Sequence, residues 1–409
     1  MIWFLSLICF ALPAYLIRFK IFGIPTTALE ILIYLTVLIQ IGFFIKSKNF
    51  SDLKSQTSKL ILSNILIPIA LFLLAAVIST TISPDKRVSL GIFKGWIIDP
   101  ILLFGLIVLN VKSEADFKKM IYGLVGGATI VSFWGILQAF GFSYLLPHQR
   151  TDPSFLSYLA SGRAFGPFES PNYLGMYLAP ISAIALGQLL ISNIKTQNYF
   201  LSFAVAASLL ALLFTKSFGA WLGFLVAALF LVWLHLSKEK RSIFWALLVL
   251  TIVIGMAAIL KYQPQRILDS FSARKEVWQV SWFLIKEHPI SGIGLGTFKQ
   301  IYTQVIPQIH FPPINWLQMH PHNIFLAFWL NMGILGLLSF LWLLYLFFKN
   351  LISHNSYLII LIAPMVAIIA HGLIDTTYWK NDLSAMFWII MGLAVILYKL
   401  QGEENENRD

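Results

Sequence analysis

Long apolar segments recur along the whole chain, and they limit its possible folds more than any other feature. Of the 409 residues, 58% are hydrophobic and only 11% are charged, against roughly 25% in an ordinary soluble domain. About twelve windows approach or exceed the roughly 20 apolar residues that a helix needs to cross a bilayer. The windows are 2–17, 24–45, 60–82, 89–110, 119–141, 172–192, 199–216, 219–236, 242–261, 322–348, 356–376 and 384–399. They are too long for the roughly 10-residue strands of a membrane barrel. The sequence therefore predicts an all-α membrane protein, a polytopic bundle of about twelve transmembrane helices.

Lysine and arginine residues are concentrated in three of the short loops between these windows. The basic loops are 46–59, 111–119 and 237–241, and with about twelve spans they lie on one side of the membrane. Positively charged loops stay in the cytoplasm, so both termini are predicted to be cytoplasmic in a multi-pass protein of the cytoplasmic (inner) membrane. The longer stretches 142–171 and 262–321 then face outward.

The longest of the outward stretches is the one sizeable insertion in a chain that we predict to be a single integral membrane domain over residues 1–409. This extracytoplasmic loop, 262–321, contains the segment SARKEVWQVSWFLIKE, whose apolar residues follow a helical spacing. The stripe consists of Val277, Val280, Phe283 and Leu284. It predicts an amphipathic helix on the membrane surface, with Ser272 as its N-cap.

A glycine-rich turn, HPISGIGLGTF, follows that helix. Its Gly292, Gly294 and Gly296 have the G-x-G-x-G spacing, which invites comparison with nucleotide-binding loops. The dinucleotide fingerprint requires a preceding strand and a βαβ unit, and the sequence predicts neither at this position. We therefore interpret the glycines as a loop that bends tightly against the helix bundle.

The net charge of +11 exceeds what orientation alone requires. Several basic residues lie in the outward stretches, where the positive-inside rule does not account for them. They are Arg163, Arg266, Arg274 and Lys275. An outward-facing membrane loop is a poor place for nucleic acid, but it suits a phosphorylated or anionic lipid-linked ligand. We expect such a ligand at the surface of the lipid bilayer and no nucleic-acid partner.

The segment MHPHNIF places two histidines just before an apolar window. Pro321 suits the first turn of a helix, so the helix of 322–348 is predicted to begin here with His322 in its first turn. The positive end of a helix attracts phosphate and disfavours an imidazolium, so we expect His322 to be neutral near pH 7. A neutral imidazole can accept a proton, and this position therefore combines a candidate general base with an anion site.

Other interpretations of these histidines remain open. An interfacial histidine can serve only as an amphipathic anchor. His320 and His322 can also be metal ligands, although their spacing around a proline is poor and no third ligand is evident nearby. His320 is expected to shape the turn, and we assign it no chemistry.

The motifs form an ordered series that resembles a known family. Arg274, Trp278, the segments HPISGIGLGTF and HNIFL, Gly333 and Gly336 are similar to the O-antigen ligase/polymerase superfamily. GRAFGPFESPNYLGMYL, TKSFGAWLG and HGLIDTTYW extend the resemblance, which is best over 162–348. It implies a GT-C-like membrane glycosyltransferase that transfers a glycan from a polyprenyl-diphosphate carrier on the outer face of the inner membrane. The acceptor is a glycan, lipid or protein, and the resemblance does not separate ligase, polymerase and protein O-glycosyltransferase.

The resemblance also implies roles for individual residues. Arg163 and Arg274 are expected to bind the donor diphosphate through their bidentate guanidinium groups. His322 is expected to take the proton of the acceptor hydroxyl, which gives inversion in a single displacement. The arginines neutralise the leaving group, so neither a metal nor a cofactor is expected. Asn172 is a candidate substrate contact, although a capping role is open to it.

Purely structural roles are alternatives for these residues. Arg163 can be an interfacial side chain that extends to the membrane surface, and Arg274 can pair with Glu276. Many family members have an arginine directly after the serine of the motif TKSFGAW, where this chain has Phe218. Lys216, two residues earlier, is a candidate to supply that charge, as a point charge rather than a fork.

Three acidic residues lie in or near apolar windows and suggest a rival function. Glu30, Asp99 and Asp375 are costly in lipid, and His371 lies four residues before Asp375, on one face of a predicted helix. They either brace the bundle and orient a basic residue, or form the proton relay of a proton-coupled transporter. A transporter is expected to show matched halves with broken helices, and the sequence shows no convincing repeat. A passive scaffold would not need Arg163, Arg274 and His322 together. The sequence therefore favours the enzyme.

Overall fold

The computed structural model describes residues 1–47, 59–142, 145–150, 153–191, 195–237, 239–242, 264–351 and 356–406, and it is mainly helical. The helices are α1 (Ile2–Phe10), α2 (Ala28–Ser47), α3 (Lys59–Ile82), α4 (Lys86–Ile92), α5 (Asp99–Asn110), α6 (Glu114–Ala139), α7 (Pro147–Arg150), α8 (Pro153–Ala160), α9 (Pro171–Ile191), α10 (Lys195–Thr215), α11 (Phe218–His235), α12 (Pro264–Glu287), α13 (Phe298–Ile309), α14 (Ile324–Leu351), α15 (Ser356–Gly372) and α16 (Asn381–Glu406). A π-helical segment, Phe93–Ile98, joins α4 and α5 without a break.

Eight helices in the described part of the chain are long and apolar enough to cross a membrane, and two shorter helices are also apolar. All ten lie within or close to predicted windows, and they confirm a multi-pass, all-α membrane protein. The total of about twelve spans stays a prediction. The window 242–261 lies, apart from its first residue, outside the described residues.

The predicted first span, 2–17, is interrupted. The helix α1 ends at Phe10, and a 3-10 turn follows over Leu12–Leu16. Pro13 has no backbone N–H to donate to the preceding turn, which explains why the α-helix stops before it. The chain then forms an antiparallel hairpin of β1 (Arg18–Ile21) and β2 (Ile24–Thr27), which carries Arg18 to one end of the bundle.

Two of the three acidic residues in the apolar windows have structural partners. Glu30 and Thr27 form a reciprocal capping box at the start of α2, with hydrogen bonds of 3.1 and 3.2 Å. The Lys94 ammonium lies 2.8 Å from the same carboxylate. Asp99 accepts a 2.7 Å hydrogen bond from the hydroxyl of Tyr34. Glu30 and Asp99 are thereby tied to neighbouring elements, as expected if these acids brace the bundle.

The helices α12 and α13 form a small core of their own with part of α14. The side chains of Val277, Val280 and Leu284 on α12 are buried against α13 and against Leu330 of α14. The predicted apolar stripe is thus real, but it packs on protein, while Phe283 lies on the exposed side. The N-cap prediction is wrong, because α12 already includes Pro264 and Ser272 lies inside it.

The glycine-rich loop crosses α14 at a break in that helix. Gly333 has φ 67°, outside the helical region, and a Cβ there would lie 2.1 Å from the carbonyl oxygen of Ile290. A Cβ on Gly292 would lie 2.4 Å from the carbonyl oxygen of Leu330. The N–H of Ile293 donates to that Leu330 carbonyl at 2.7 Å. The expectation of a tight loop is confirmed, whereas the expectation of an unbroken helix over 322–348 is wrong.

We predict that Gly333→Ala destabilises the protein by more than about 2 kcal/mol, since it adds both a strained φ and a backbone collision. Gly105→Ala is the matched control, because a Cβ there meets nothing within 4 Å and alanine favours a helix. Thermal unfolding of the purified variants in detergent measures both effects. Equal melting temperatures for the two variants would contradict the importance of the crossing.

Candidate functional site

A buried carboxylate lies in the connection between α15 and α16. Asp375 is 1% exposed, and three groups donate hydrogen bonds to it. They are Nδ1 of His322 at 3.2 Å, Nδ2 of Asn172 at 3.3 Å and the N–H of Thr376 at 2.9 Å. Because α15 ends at Gly372, Asp375 lies beyond the helix, and the predicted helix face shared with His371 is wrong.

The charge of Asp375 is set by competing effects. Burial alone would raise the pKa of this carboxyl group, but the electrostatic interaction with His322 and the hydrogen bond from its ring outweigh burial. The pKa of Asp375 therefore lies below its usual range, and the group is ionised at neutral pH. A buried anion of this kind must remain paired, so it fixes the position of each group that contacts it.

His322 stands just before α14 and not in its first turn, which corrects the sequence-based prediction. Its φ is 48°, and the helix begins at Ile324. Asn323 is the cap, since its Oδ1 accepts from the N–H of Phe325 at 2.9 Å and of Leu326 at 3.0 Å. The electrostatic partner of His322 is therefore the Asp375 carboxylate rather than a helix end.

Contacts on both sides of the His322 ring define its orientation. The indole of Trp278 donates to the carbonyl of His322 at 3.3 Å, and Nδ1 faces Asp375. The other ring nitrogen, Nε2, lies 3.2 Å from Oε1 of Gln318, an acceptor that pairs with Nε2 when this nitrogen carries a proton. A proton on Nδ1, held by the carboxylate, leaves the lone pair on Nε2 available to accept another proton.

His320 lies in the same cluster, although sequence reasoning gave it no chemistry. Its Nδ1 is 3.9 Å from Oδ1 of Asp375, and its ring centroid is 4.6 Å from that of His322. Burial, followed by the charge of His322, lowers the pKa of His320 to about 3, so the ring is neutral at neutral pH. The two-residue spacing around Pro321 did not indicate that both histidine rings face Asp375.

These three residues have the composition of a metal site. One ligand atom from each of His320, His322 and Asp375 lies within 4.8 Å of the others. The third ligand that sequence reasoning did not find is thus supplied by a distant part of the chain. The same carboxylate oxygen already accepts from His322 and from the N–H of Thr376. We therefore interpret the trio as a hydrogen-bonded group.

Arg163 joins this cluster through Asn172. One guanidinium nitrogen of Arg163, Nη2, donates to Oδ1 of Asn172 at 3.3 Å, and Nε donates to the carbonyl of Thr215 at 3.0 Å. Asn172 in turn donates to Asp375. The Oγ of Ser170, the residue before α9, accepts from the N–H of Tyr173 at 3.3 Å, and the Asn172 amide bridges arginine and aspartate.

Arg274 approaches the cluster from α12. Its Nε donates to the carbonyl of Ile374, the residue before Asp375, at 3.1 Å, and its Nη1 donates to the carbonyl of Ser270 at 3.2 Å. Among the described ion pairs, none joins Arg274 to Glu276, whose carboxylate instead accepts from the N–H of Ile314 at 2.9 Å. The alternative of an Arg274–Glu276 pair is therefore not observed.

Lys216 lies next to the segment that carries Arg163. Its ammonium donates to the carbonyl of Ser161 at 2.7 Å, and its backbone has φ 50°. The structure thus brings Arg163, Arg274, His322 and Asn172 around one carboxylate and places Lys216 beside the Arg163 segment.

A second charged group, missed from the sequence, adjoins the cluster. Lys380 is 6% exposed and pairs with Glu169, which also pairs with Arg18 of the hairpin at 2.9 Å. The Lys380 ammonium lies 3.6 Å from the ring centroid of Tyr173. Glu169 stands inside the motif GRAFGPFESPNYLG, which was the available signal, but its partners come from opposite ends of the chain.

A cavity of about 820 Å³ opens beside these groups. Its lining includes His320, Tyr173 and Lys380, which connect it to the Asp375 cluster. His322, Arg163 and Arg274, all described residues, are not part of its lining. The two arginines thus lie outside the cavity lining, and the cavity reaches the site at His320.

Comparison with known proteins gives a consistent picture. Residues 203–341 match the O-antigen ligase family. The O-antigen ligase of Salmonella typhimurium is 25% identical over 289 residues, 67% of each chain. A protein of Rickettsia conorii predicted to be a polysaccharide ligase is 26% identical over 238 residues, 54% of this chain and 56% of the relative. The alignment therefore spans little more than half the length of the Rickettsia relative.

The family match includes Lys216, Arg274 and His322, and it joins α10 to the first part of α14. The Salmonella alignment extends over two thirds of the chain. Together with the ordered motifs and the multi-pass helical fold, these matches show that the chain is similar to the O-antigen ligase superfamily.

Proposed function

We propose that this protein transfers a glycan from a polyprenyl-diphosphate carrier to an acceptor hydroxyl group. The observation that carries the proposal is the contact of His322 with the buried carboxylate of Asp375, to which Arg163 is linked through Asn172 and Arg274 through the neighbouring carbonyl of Ile374. The relatives named as O-antigen and polysaccharide ligases support a reaction that joins glycans. Ligase, polymerase and protein O-glycosyltransferase reactions share this chemistry and differ in the acceptor.

The arginines suit the donor diphosphate. A sugar diphosphate leaves as an anion, so the enzyme must stabilise charge on the leaving group more than it must protonate it. In Arg274, Nε and Nη1 are held by protein carbonyls, which orients the planar group and presents Nη2 to a ligand. Arg163 is held in the same way by Thr215 and Asn172.

His322 suits the acceptor. In the proposed step, Nε2 of His322 takes the proton of the acceptor hydroxyl group, while the oxygen of that hydroxyl group forms a bond to the anomeric carbon of the donor glycan. The bond from that carbon to the phosphate oxygen breaks, and polyprenyl diphosphate leaves with the electron pair. A single displacement inverts the anomeric centre. Asp375 holds Nδ1–H and stabilises the imidazolium that forms.

We further propose that the site lies on the outer face of the cytoplasmic membrane, with both termini in the cytoplasm. The site groups lie in the connections that precede α2, α9, α11, α14 and α16, at one end of the bundle. Lys112 and Lys119 lie at the opposite end, between α5 and the first turns of α6. Basic short loops are cytoplasmic, so the site end is external.

We predict that His322→Ala lowers kcat for transfer by about 10²–10⁴-fold, since a positioned base supplies that range. Donor binding is expected to persist, because the arginines are untouched. The measurement is in vitro transfer with purified protein, polyprenyl-diphosphate glycan and a set of candidate acceptors, beside a donor-binding assay. His288→Ala, an exposed histidine of the same outer segment, is the matched control and should retain activity.

The same assay distinguishes a base from a metal ligand. Wild-type transfer in excess chelator should equal transfer without it, as expected if Arg163 and Arg274 neutralise the diphosphate. Activity that disappears with chelator and returns with one divalent ion would assign the His320–His322–Asp375 trio to that ion. Normal turnover by His322→Ala would exclude His322 as the base.

We predict that Arg274→Lys and Arg163→Lys each raise the KM for the donor by about 10–100-fold, because lysine cannot make the forked contacts of arginine. The KM for the acceptor should change little. Lys275→Ala is the matched control, since Lys275 is the exposed neighbour of Arg274 on the same helix. A donor KM equal to that of the wild type in these variants would show that the arginines do not bind the donor.

A further inference from the structure

The cavity beside His320 has one wall made by a single amphipathic helix. In α13, Phe298, Tyr302 and Ile306 are buried, and Tyr302 and Ile306 lie on the side that packs toward α12 and α14. The polar residues Gln300, Thr303 and Gln304 are exposed, and all three line the cavity. This spacing turns a stripe of amide and hydroxyl groups toward an enclosed space. The wall therefore offers several hydrogen-bonding groups to an occupant.

Aromatic rings contribute another part of the cavity lining. Trp96, Trp379, Tyr15 and Tyr173 all line it. The rings of Trp96 and Trp379 are 6.3 Å apart at an angle of 67°, and the Trp96 indole is held by a 3.0 Å hydrogen bond to Asn381. The π-helical segment around Gly95 positions Trp96, since a Cβ on Gly95 would lie 2.7 Å from the Asn381 amide nitrogen. The rings thus have fixed orientations.

The charges that line the cavity nearly cancel. The cations are Arg18, Lys299 and Lys380, and the anions are Asp85 and Glu169, which leaves a net charge of one. Arg18 and Lys380 already pair with Glu169. The cavity lining therefore offers little net positive charge to a diphosphate. The occupant that suits this lining carries many hydroxyl groups, apolar ring faces and little charge.

The cavity also has a defined relation to the candidate base. His320 lines it, and the His320 ring lies 4.6 Å from that of His322, while the arginines are not part of the lining. A molecule in the cavity therefore reaches the histidine pair without crossing the guanidinium groups. If the arginines hold the donor, this side of the histidines is left for the acceptor.

We propose that the cavity is the acceptor-glycan site, in which a sugar ring stacks on Trp96, supported by Trp379, while sugar hydroxyl groups bind Gln300, Thr303 and Gln304. This inference rests on the proposed transferase function. Pockets of about 300–1,000 Å³ enclose ligands of drug size, so a volume of about 820 Å³ suits the terminal sugars of a glycan. His320 forms the inner boundary and directs the reacting hydroxyl group toward His322.

Protection of a single thiol tests the proposal without requiring turnover. The only cysteine of the chain, Cys9, is buried, so Thr303→Cys introduces one accessible thiol inside the cavity. The full chain in detergent is labelled with a maleimide after incubation with size-fractionated, lipid-free oligosaccharides released from the host cell envelope. Glu287→Cys, exposed in the same outer segment and outside the cavity lining, is the matched control.

The oligosaccharide pool should slow labelling of Thr303→Cys by about tenfold when its bound component is at roughly ten times its Kd. Labelling of Glu287→Cys should not change. Protection by the polyprenyl-diphosphate glycan alone would show that the donor glycan occupies the cavity, and would overturn the acceptor assignment. No protection, or equal protection at both positions, would overturn the glycan site itself.

Failure of this inference and failure of the proposed function give different results. His322→Ala added to Thr303→Cys should leave protection by the oligosaccharides intact, because that histidine does not line the cavity. Protection together with full turnover of the His322→Ala protein would keep the glycan site and reject the base. Loss of turnover without protection would keep the base and reject the cavity.

Discussion

A single buried anion organises the site. The carboxylate of Asp375 is almost fully excluded from solvent, and an unpaired charge in that position would cost several kcal/mol. Its donors come from the start of α9, from the segment before α14 and from the next backbone N–H. Arg163 attaches through Asn172, and Arg274 through the neighbouring carbonyl. The groups that the proposed transfer requires therefore lie together because each is linked to the Asp375 carboxylate or to its neighbouring carbonyl.

Backbone crossings hold α12 and α13 against this site. The glycine loop and the break in α14 exchange hydrogen bonds across positions where a Cβ would collide, so α12 and α13 have a fixed relation to α14. That relation brings Arg274 of α12, which contacts the carbonyl of Ile374, and His322, which contacts Asp375, into one site. It also turns the polar stripe of α13 into the cavity. Local backbone geometry at Gly292 and Gly333 thus determines where the two substrates of the proposed reaction can approach.

The long apolar windows predicted most helices correctly, because hydrophobic length and proline positions are local properties of the chain. The sequence also drew attention to His322, Arg163, Arg274, Asn172 and Asp375. It missed the role of His320 and the pairing of Lys380 with Glu169, since these depend on contacts between residues far apart in sequence. The break at Gly333 was missed for the same reason. A glycine in an apolar helix looks the same whether or not another backbone crosses it.

The most direct test of the account is a double-mutant cycle of His322→Ala and Asp375→Asn, with kcat for transfer measured at saturating donor and acceptor. If the carboxylate acts by holding the imidazole, each single variant loses about 10²–10⁴-fold, and the double variant is no slower than His322→Ala. Losses that multiply, or an Asp375→Asn protein that turns over at the wild-type rate, would show that the two groups do not work as a unit.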